Sequence, residues 1–335
     1  MKKRKKTGGY QSDMKESSTT FWQKGWVVCL GACISCFLWG SAFPCIKIGY
    51  QMFHVDSADT SSQLLFAGIR FFLAGVLVLA FAAVSRRSLR LAPSVRRDTT
   101  PEHPWWGYVI GLSFFQTIAQ YFFFYIGMAH TSGVKGSIIE GANVFVAILT
   151  VCLVFRMEPL TPAKFAGCLV GFAGVVLVNL SGARLEGGFH LTGEGFVFLS
   201  TIAYALSSVT MKKITHRADP VLLSGWQFLF GGFVLALIGL LSGGHIRPDR
   251  LTGLILLLYM AFISAGAYTL WGVLLKYNPV SRVNIYGFMN PVFGVILSCL
   301  LLRNSSQTPG IISLIALALV CLGICLVNRP KTQDA

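Results

Sequence analysis

Ten apolar runs, each about the length needed to cross a bilayer, succeed one another along this chain. A helix covers the hydrocarbon core in about 20 residues, and only internally hydrogen-bonded helices or closed barrels are tolerated there. The runs are Val27–Tyr50, Gln63–Val84, Trp105–Met128, Val134–Phe155, Pro162–Leu180, Gly193–Met211, Val221–Leu241, Leu251–Leu275, Val283–Leu302 and Pro309–Val327. Most of the short connections between them hold Gly, Pro, Asn, Asp or Ser, the residues of turns. Of the 335 residues 54% are hydrophobic and 12% charged, against about 25% charged in soluble domains. One buried core cannot absorb that much apolar sequence, and a bilayer can. The expected fold is an all-α integral membrane protein of ten transmembrane helices.

The charge pattern sets an orientation. A net charge of +15 would point to nucleic acid in a soluble protein. Here the bases lie between apolar runs, so they read as topology signals and contacts to anionic lipid headgroups, and no nucleic-acid partner is expected. With the N-terminus inside, the inner segments hold 21 of the 28 Lys and Arg. The outer ones hold Lys135, Arg184, Arg247, Arg250 and Arg303. Lys47 and Arg70 fall within spans. This bias predicts both termini on the cytoplasmic side of a bacterial inner or plasma membrane. Residues 1–25 read as a basic, disordered cytoplasmic tail rather than a cleavable signal peptide, and 329–335 as a second short tail.

All nine cysteines lie in apolar runs, so no disulfide framework is expected. Cys29, Cys33 and Cys36 share a helix face, and the plainer reading is small packing residues rather than soft-metal ligands. All six histidines lie in loops or at helix ends, which rules out an intramembrane His–Cys site. No metal and no cofactor is expected.

The two halves resemble each other. Tyr121, Lys135, Asn143, Arg156 and Thr161–Pro162 recur at one constant offset as Tyr268, Arg282, Asn290, Arg303 and Thr308–Pro309. Arg70 aligns with Gln227, Ser41 with Ser207, and Lys47 with Lys213. Repeats over 26–181 and 190–328 each carry five spans. Five is odd, so the second repeat enters the membrane from the opposite side. Such inverted repeats are a mark of secondary transporters, because two halves in opposite orientations can exchange conformations and alternate access to a central site.

Four segments carry a family resemblance. Span one reads Phe37-Leu-Trp-Gly-Ser-Ala-Phe-Pro-Cys-Ile-Lys47, and span two Gly68-Ile-Arg-Phe-Phe-Leu-Ala74. Span four ends Phe155-Arg-Met-Glu-Pro-Leu-Thr161, and span nine reads Asn290-Pro-Val-Phe-Gly-Val-Ile-Leu-Ser298. In this order and spacing the chain resembles the EamA-like family of the drug/metabolite transporter superfamily, from about Trp26 to Asn328. The resemblance implies two five-helix repeats around a cavity, and export or exchange of amino acids or related small metabolites. The chain departs from the pattern at Arg303-Asn-Ser-Ser, where the family has a Glu, and in span four, which lacks the Pro of its repeat partner.

Glu140 is the one acid in the interior of a span. A central charge costs about 3 kcal/mol on insertion scales, so such a residue faces a cavity, pairs with a base or is protonated. It is the candidate for coupling protons or binding a substrate ammonium; the alternative is a structural pair with Lys135 or Arg70. Arg70 is the candidate for a substrate carboxylate, with carbonyl or headgroup pairing as the alternative. Lys47 is read as snorkelling. Asn143 and Asn290 need polar partners in hydrocarbon and are placed on the cavity. Ser200, Tyr204, Ser207 and Met211 form one face of span six, and Trp39, Tyr121, Tyr125, Tyr268 and Trp271 are further cavity candidates. Pro44 and Pro291 are the hinge candidates, since proline removes a helix hydrogen bond. Gly167, Gly171 and Gly174 make a packing stripe, with a homodimer as the other use of it. Glu158 is expected to pair with Arg156.

An intramembrane enzyme needs a Ser–His, paired-Asp or His–Glu arrangement, and no catalytic residue of this kind is available. A channel needs a symmetric ring or a filter loop. A nucleotide-sugar or phosphate-ester carrier needs several cavity cations. The expected partners are a small-molecule substrate and membrane lipids.

Overall fold

The computed structural model describes residues 21–56, 58–90, 105–131, 136, 139–180, 190–215, 218–248, 250–301 and 311–329, and these are all helix or connection. The first repeat holds α1 (Gly25–Met52), α2 (Thr60–Arg90), α3 (Trp105–Ser113), α4 (Gln120–Ala129), α5 (Asn143–Leu149) and α6 (Pro162–Leu180). The second holds α7 (Phe196–Ile214), α8 (Pro220–Leu241), α9 (Leu251–Tyr277), α10 (Val280–Asn284), α11 (Met289–Leu301) and α12 (Ile311–Val327). α3 runs into α4 through a π-helical stretch, Phe114–Ala119, so the two form one span. α5 likewise ends in a π stretch, Thr150–Val154, and α7 begins from one, Leu191–Gly195.

Six helices among the described residues are long and apolar enough to cross a membrane alone: Gly25–Met52, Thr60–Val84, Trp106–Ala129, Leu191–Ile214, Pro220–Leu241 and Leu251–Tyr277. Ile139–Val154, Pro162–Leu177, Leu314–Val327 and α11 are shorter and complete the ten. Span nine is the one that differs in kind from the sequence expectation. It starts as the short α10, passes through the 3₁₀ turn Ile285–Phe288, and only then becomes α11. The interruption ends three residues before Pro291, which has no N–H to offer the carbonyl one turn earlier. Span one, by contrast, continues through Pro44 without a break.

The packing repeats the internal symmetry. α2 lies along α8, and α6 along α12; each pair joins corresponding helices of the two repeats. α1 packs on α9 and α11, and α7 on α4 and α5. Exchanging the halves turns each contact into another member of the same set, as two inverted five-helix repeats require.

The α2–α8 seam is closed backbone to backbone. A Cβ on Gly68 would sit 2.2 Å from the Ala236 nitrogen, and one on Gly232 2.3 Å from that of Phe72. Within lipid there is no hydrophobic drive between helices, so close approach at small residues supplies the dispersion contact instead. The Gly167–Gly171–Gly174 stripe is used the same way within the chain. A Cβ on Gly167 would lie 2.7 Å from the Gly323 carbonyl, and one on Gly174 2.7 Å from that of Ala316, both on α12. Large apolar side chains such as Phe81, Leu241 and Ile311 point outward, where lipid covers them.

Two aspartates start helices. Asp219 accepts from the Val221 N–H at 2.8 Å, with Pro220 in the first turn. Asp59 accepts from the Ser62 N–H at 3.0 Å and the Ser62 hydroxyl at 2.5 Å, ahead of α2. Donation from Ser62, hydroxyl first and then N–H, holds the Asp59 carboxyl below its ordinary pKa.

Gly68→Leu is therefore expected to abolish folded, monodisperse yield, since overpacking costs about 1–3 kcal/mol even where side chains can give, and here backbone stands in the way. Gly107→Ala has nothing within 4 Å of the new methyl and is expected to melt at or above wild type. Asp59→Ala is expected to cost about 1 kcal/mol near neutral pH. Because the folded pKa is depressed, that contribution is complete above the ordinary carboxylate range and lost as pH falls through the folded value. The gap between the Asp59→Ala and wild-type melting curves should thus close in acid.

Candidate functional site

Two repeat-related tyrosines meet in the middle of the bundle. The Tyr121 hydroxyl on α4 and the Tyr268 hydroxyl on α9 lie 2.7 Å apart in one hydrogen bond. Phe71 on α2 and Phe228 on α8, at positions next to the aligned pair Arg70 and Gln227, stack at 5.5 Å with rings nearly parallel. Phe71 packs on Tyr121 at 4.4 Å and Phe228 on Tyr268 at 5.1 Å. Four rings from four helices thus form one self-complementary cluster. Trp39 on α1 extends it, edge-on to Tyr268 at 4.9 Å and to Trp271 at 5.0 Å. The buried indole N–H groups of Trp39 and Trp271 have no hydrogen-bond partner among the described residues.

Arg70 lies against this cluster. It is 4% exposed, too buried to reach headgroups. Its guanidinium sits 4.5 Å over the Phe71 ring, while Nε and Nη1 find no acceptor among the described residues. Tyr50, Tyr121 and Tyr268 are close enough to interact with its charge. The aligned residue in the other repeat is handled differently. The Gln227 Oε1 accepts from the Thr117 hydroxyl at 2.8 Å, and its backbone carbonyl from the Ser113 hydroxyl at 3.1 Å. One half therefore carries a neutral amide tied through its oxygen, with Nε2 unpartnered among the described residues, where the other carries a cation with open donors. An unmet buried donor costs about 1–3 kcal/mol, more when charged, so an acceptor supplied from outside the chain would be held strongly there.

Glu140 precedes α5 and faces α7. Oε1 accepts from the Asn143 amide at 3.2 Å. Oε2 lies 3.5 Å from the Ser200 hydroxyl, whose shorter bond, 2.7 Å, goes to the Val197 carbonyl. Among the described residues no base pairs with this carboxylate, and Arg70 is not its partner. Lys135, the other base considered, lies outside the described residues. Tyr121 interacts with the charges of both Arg70 and Glu140, and Tyr204 with that of Glu140. The aromatic cluster thus has an open cation on one flank and an acid without a base on another.

The remaining candidates divide. Asn143 is committed to Glu140, while Asn290 Oδ1 is without a partner among the described residues. Ser200, Tyr204, Ser207 and Met211 are all buried, so that face of α7 does turn inward. Ser207, however, gives its hydroxyl to the Tyr204 carbonyl at 2.8 Å and has no donor left for a cavity. Tyr125 is buried in the cluster around Phe71 and Tyr268. Lys47 is exposed, as snorkelling requires. Glu158 pairs with Lys164 at 2.9 Å rather than with Arg156, whose φ of +50° turns the chain away.

Sequence reasoning passed over Gln116, Thr117 and Gln120 on span three, all buried beside the π stretch, and Asn284, fully buried with both amide atoms unpartnered among the described residues. Gln116 and Gln120 are amides within hydrocarbon, as Asn143 is, and stand out on the same ground. Asn284 lies just inside the predicted start of span nine and reads there as a helix-end residue.

A family profile described as the EamA-like transporter family matches residues 26–180 and 191–329. The chain belongs to the EamA-like transporter family. It is thus a multi-pass membrane transporter. It is 26% identical to the uncharacterized transporter YvbV of Bacillus subtilis, over 89% of this chain and 90% of that protein. It is 25% identical to the uncharacterized inner membrane transporter YedA of Escherichia coli K12, over 88% of each. A chloroplastic WAT1-related protein of Arabidopsis thaliana is 24% identical, over 89% of this chain and 68% of that one. A crystal structure sharing 17% identity superposes with a TM-score of 0.70, over 91% of this chain and 98% of the other, and carries the same fold.

The paired hydroxyls make a simple test. Tyr121→Phe and Tyr268→Phe should each cost about 1 kcal/mol by leaving one buried hydroxyl unmet. The double variant should cost less than the sum of the two, as read from melting temperatures.

Proposed function

We propose that this EamA-like transporter exports or exchanges amino acids or related zwitterionic metabolites by alternating access, across a bacterial inner or plasma membrane. The observation that carries the reading is the buried Arg70 guanidinium with Nε and Nη1 free of acceptors, against an aromatic cluster near which a second charge, Glu140, has no base among the described residues. A carboxylate suits the first and an ammonium the second. The surrounding rings, Trp39, Tyr121, Tyr204, Tyr268 and Trp271, offer the apolar and hydroxyl-bearing walls that small-molecule sites have. Asn290 adds an amide at the broken start of span nine, and Pro291 and Pro44 are the proposed hinges. The repeats act as the moving halves, over 26–181 and 190–328. A phosphate-ester carrier would need further cations, and among the described residues Arg70 is the buried base.

Both termini are placed in the cytoplasm by the basic-residue bias. An impermeant thiol reagent should then reach a cysteine placed at Asp56 from outside, and one placed at Arg96 only from the cytoplasm.

Uptake and counterflow in proteoliposomes test the substrate. Amino acids or related amines should drive counterflow; transport confined to phosphorylated sugars would overturn the proposal. Arg70→Gln copies the residue of the other repeat, so it should fold, yet lose at least about tenfold in transport of carboxylate-bearing substrates. Glu140→Gln separates two roles. If Glu140 carries a coupling proton, counterflow persists while stimulation by a pH gradient disappears. If it only seats an ammonium, both fall together. Unchanged flux in Glu140→Gln would remove the residue from the site.

A further inference from the structure

The inverted repeat sorts the contacts of this bundle into two kinds. A contact between a residue and its own counterpart maps onto itself when the halves exchange conformations, so it is present in both states. Tyr121–Tyr268 is of this kind. A contact between residues that are not counterparts maps onto a mirror contact elsewhere. One of the two is made when the other is broken, so such contacts distinguish which end of the transporter is open.

Glu158 makes a contact of the second kind across the repeats. It follows span four in the first repeat, and its carboxylate accepts from the backbone N–H of Ser281 at 3.3 Å and from the Ser281 hydroxyl, at the start of α10 in the second. Lys164 Nζ holds the same carboxylate at 2.9 Å from its own repeat. Nearby, Lys212 at the end of α7 donates to the carbonyls of Leu275, Asn278 and Lys276 at 2.8, 2.7 and 3.3 Å, so the corner between α9 and α10 that Glu158 grips is itself tied down. At the repeat offset that relates Tyr121 to Tyr268, the mirror positions of Ser281 and Glu158 are Val134 and Ser305. Valine has no hydroxyl and serine no carboxylate, so the sequence does not encode a charged mirror of this latch.

We propose that Glu158 is a positioning residue for transport: its bond to Ser281 shuts the end of the bundle at which span four stops, and the lack of a mirror latch makes this the resting, substrate-free state. The inference rests on the transport activity of the family, but on no particular substrate. On the proposed orientation this end is cytoplasmic, and the transporter waits with its outer side accessible.

A native thiol lies behind the latch. Cys36 on α1 is fully buried, and its Sγ contacts the Tyr286 carbonyl at 3.2 Å, in the turn that follows α10. Opening of this end moves that turn and exposes the thiol. Cys168, buried on α6, serves as the internal reference for general loosening. The full chain, purified without substrate, is treated with N-ethylmaleimide, and modification of each cysteine is followed by peptide mass spectrometry. Glu158→Gln and Glu158→Ala should raise the rate at Cys36 relative to Cys168 by roughly tenfold, the worth of one charge-assisted hydrogen bond. Ser281→Ala keeps the N–H bond and should fall between them and wild type. Lys164→Ala leaves the cross-repeat bond in place and should change the ratio less than twofold. An unchanged Cys36 to Cys168 ratio in either Glu158 variant, or a rise of both thiols in parallel, overturns the proposal. The readout needs no substrate, so its failure is distinct from failure of the amino-acid reading.

Discussion

Everything in this bundle hangs on the approach of α2 to α8 through glycine. In hydrocarbon, two helices gain nothing by hiding apolar side chains from each other, because lipid hides them equally well. What remains is contact itself. Gly68 and Gly232 let the α2 and α8 backbones come within the reach of a missing Cβ, and Gly167 with Gly323 repeat the device between α6 and α12. Both seams join corresponding helices of the two repeats. The axis of internal symmetry is therefore the place where the halves are bound most closely, and the other helices are arranged around it.

That close approach also brings Phe71 and Phe228 face to face and sets the Tyr121 and Tyr268 hydroxyls in one hydrogen bond. A symmetric seam has a consequence for chemistry. Where Tyr121 meets Tyr268 and Phe71 meets Phe228, the two repeats carry the same residue and the centre is self-paired. Wherever they differ, something is left over. Arg70 against Gln227 is such a difference: the glutamine is neutral and its two oxygens are taken by Thr117 and Ser113, while the guanidinium brings a positive charge with Nε and Nη1 open among the described residues. Glu158 against Ser305 is another, at the end of the bundle rather than its middle. In a transporter built from duplicated halves, departures from the repeat are where substrate and direction can enter.

Much of this was legible beforehand, for reasons that can be named. A span of about 20 apolar residues has few other fates. Glu140 and Arg70 stood out because a charge in hydrocarbon is costly enough to demand a reason. Pro291 marked span nine as the helix with a hinge, but the break itself lies earlier, at Ile285–Phe288. What failed was partner assignment. Glu158 stands two residues from Arg156, yet it bonds Lys164 and Ser281, because the positive φ at Arg156 reverses the chain between them. Ser207 shares a helix face with Tyr204, yet its hydroxyl folds back onto its own helix, a local choice that periodicity does not register.

By itself, then, the sequence determined the number of spans, the duplication and which polar residues would be placed within hydrocarbon, because each of these follows from the cost of burying polar groups in lipid. It could not determine which of those residues meet. That Tyr121 bonds Tyr268, that the Gln227 side-chain oxygen meets Thr117 while the Arg70 Nε and Nη1 meet no acceptor among the described residues, and that Glu158 crosses from one repeat to the other are matters of ångströms between helices far apart in the chain. Hydrogen bonds form or fail within a few tenths of an ångström, and only the packing of the glycine seams sets distances that fine.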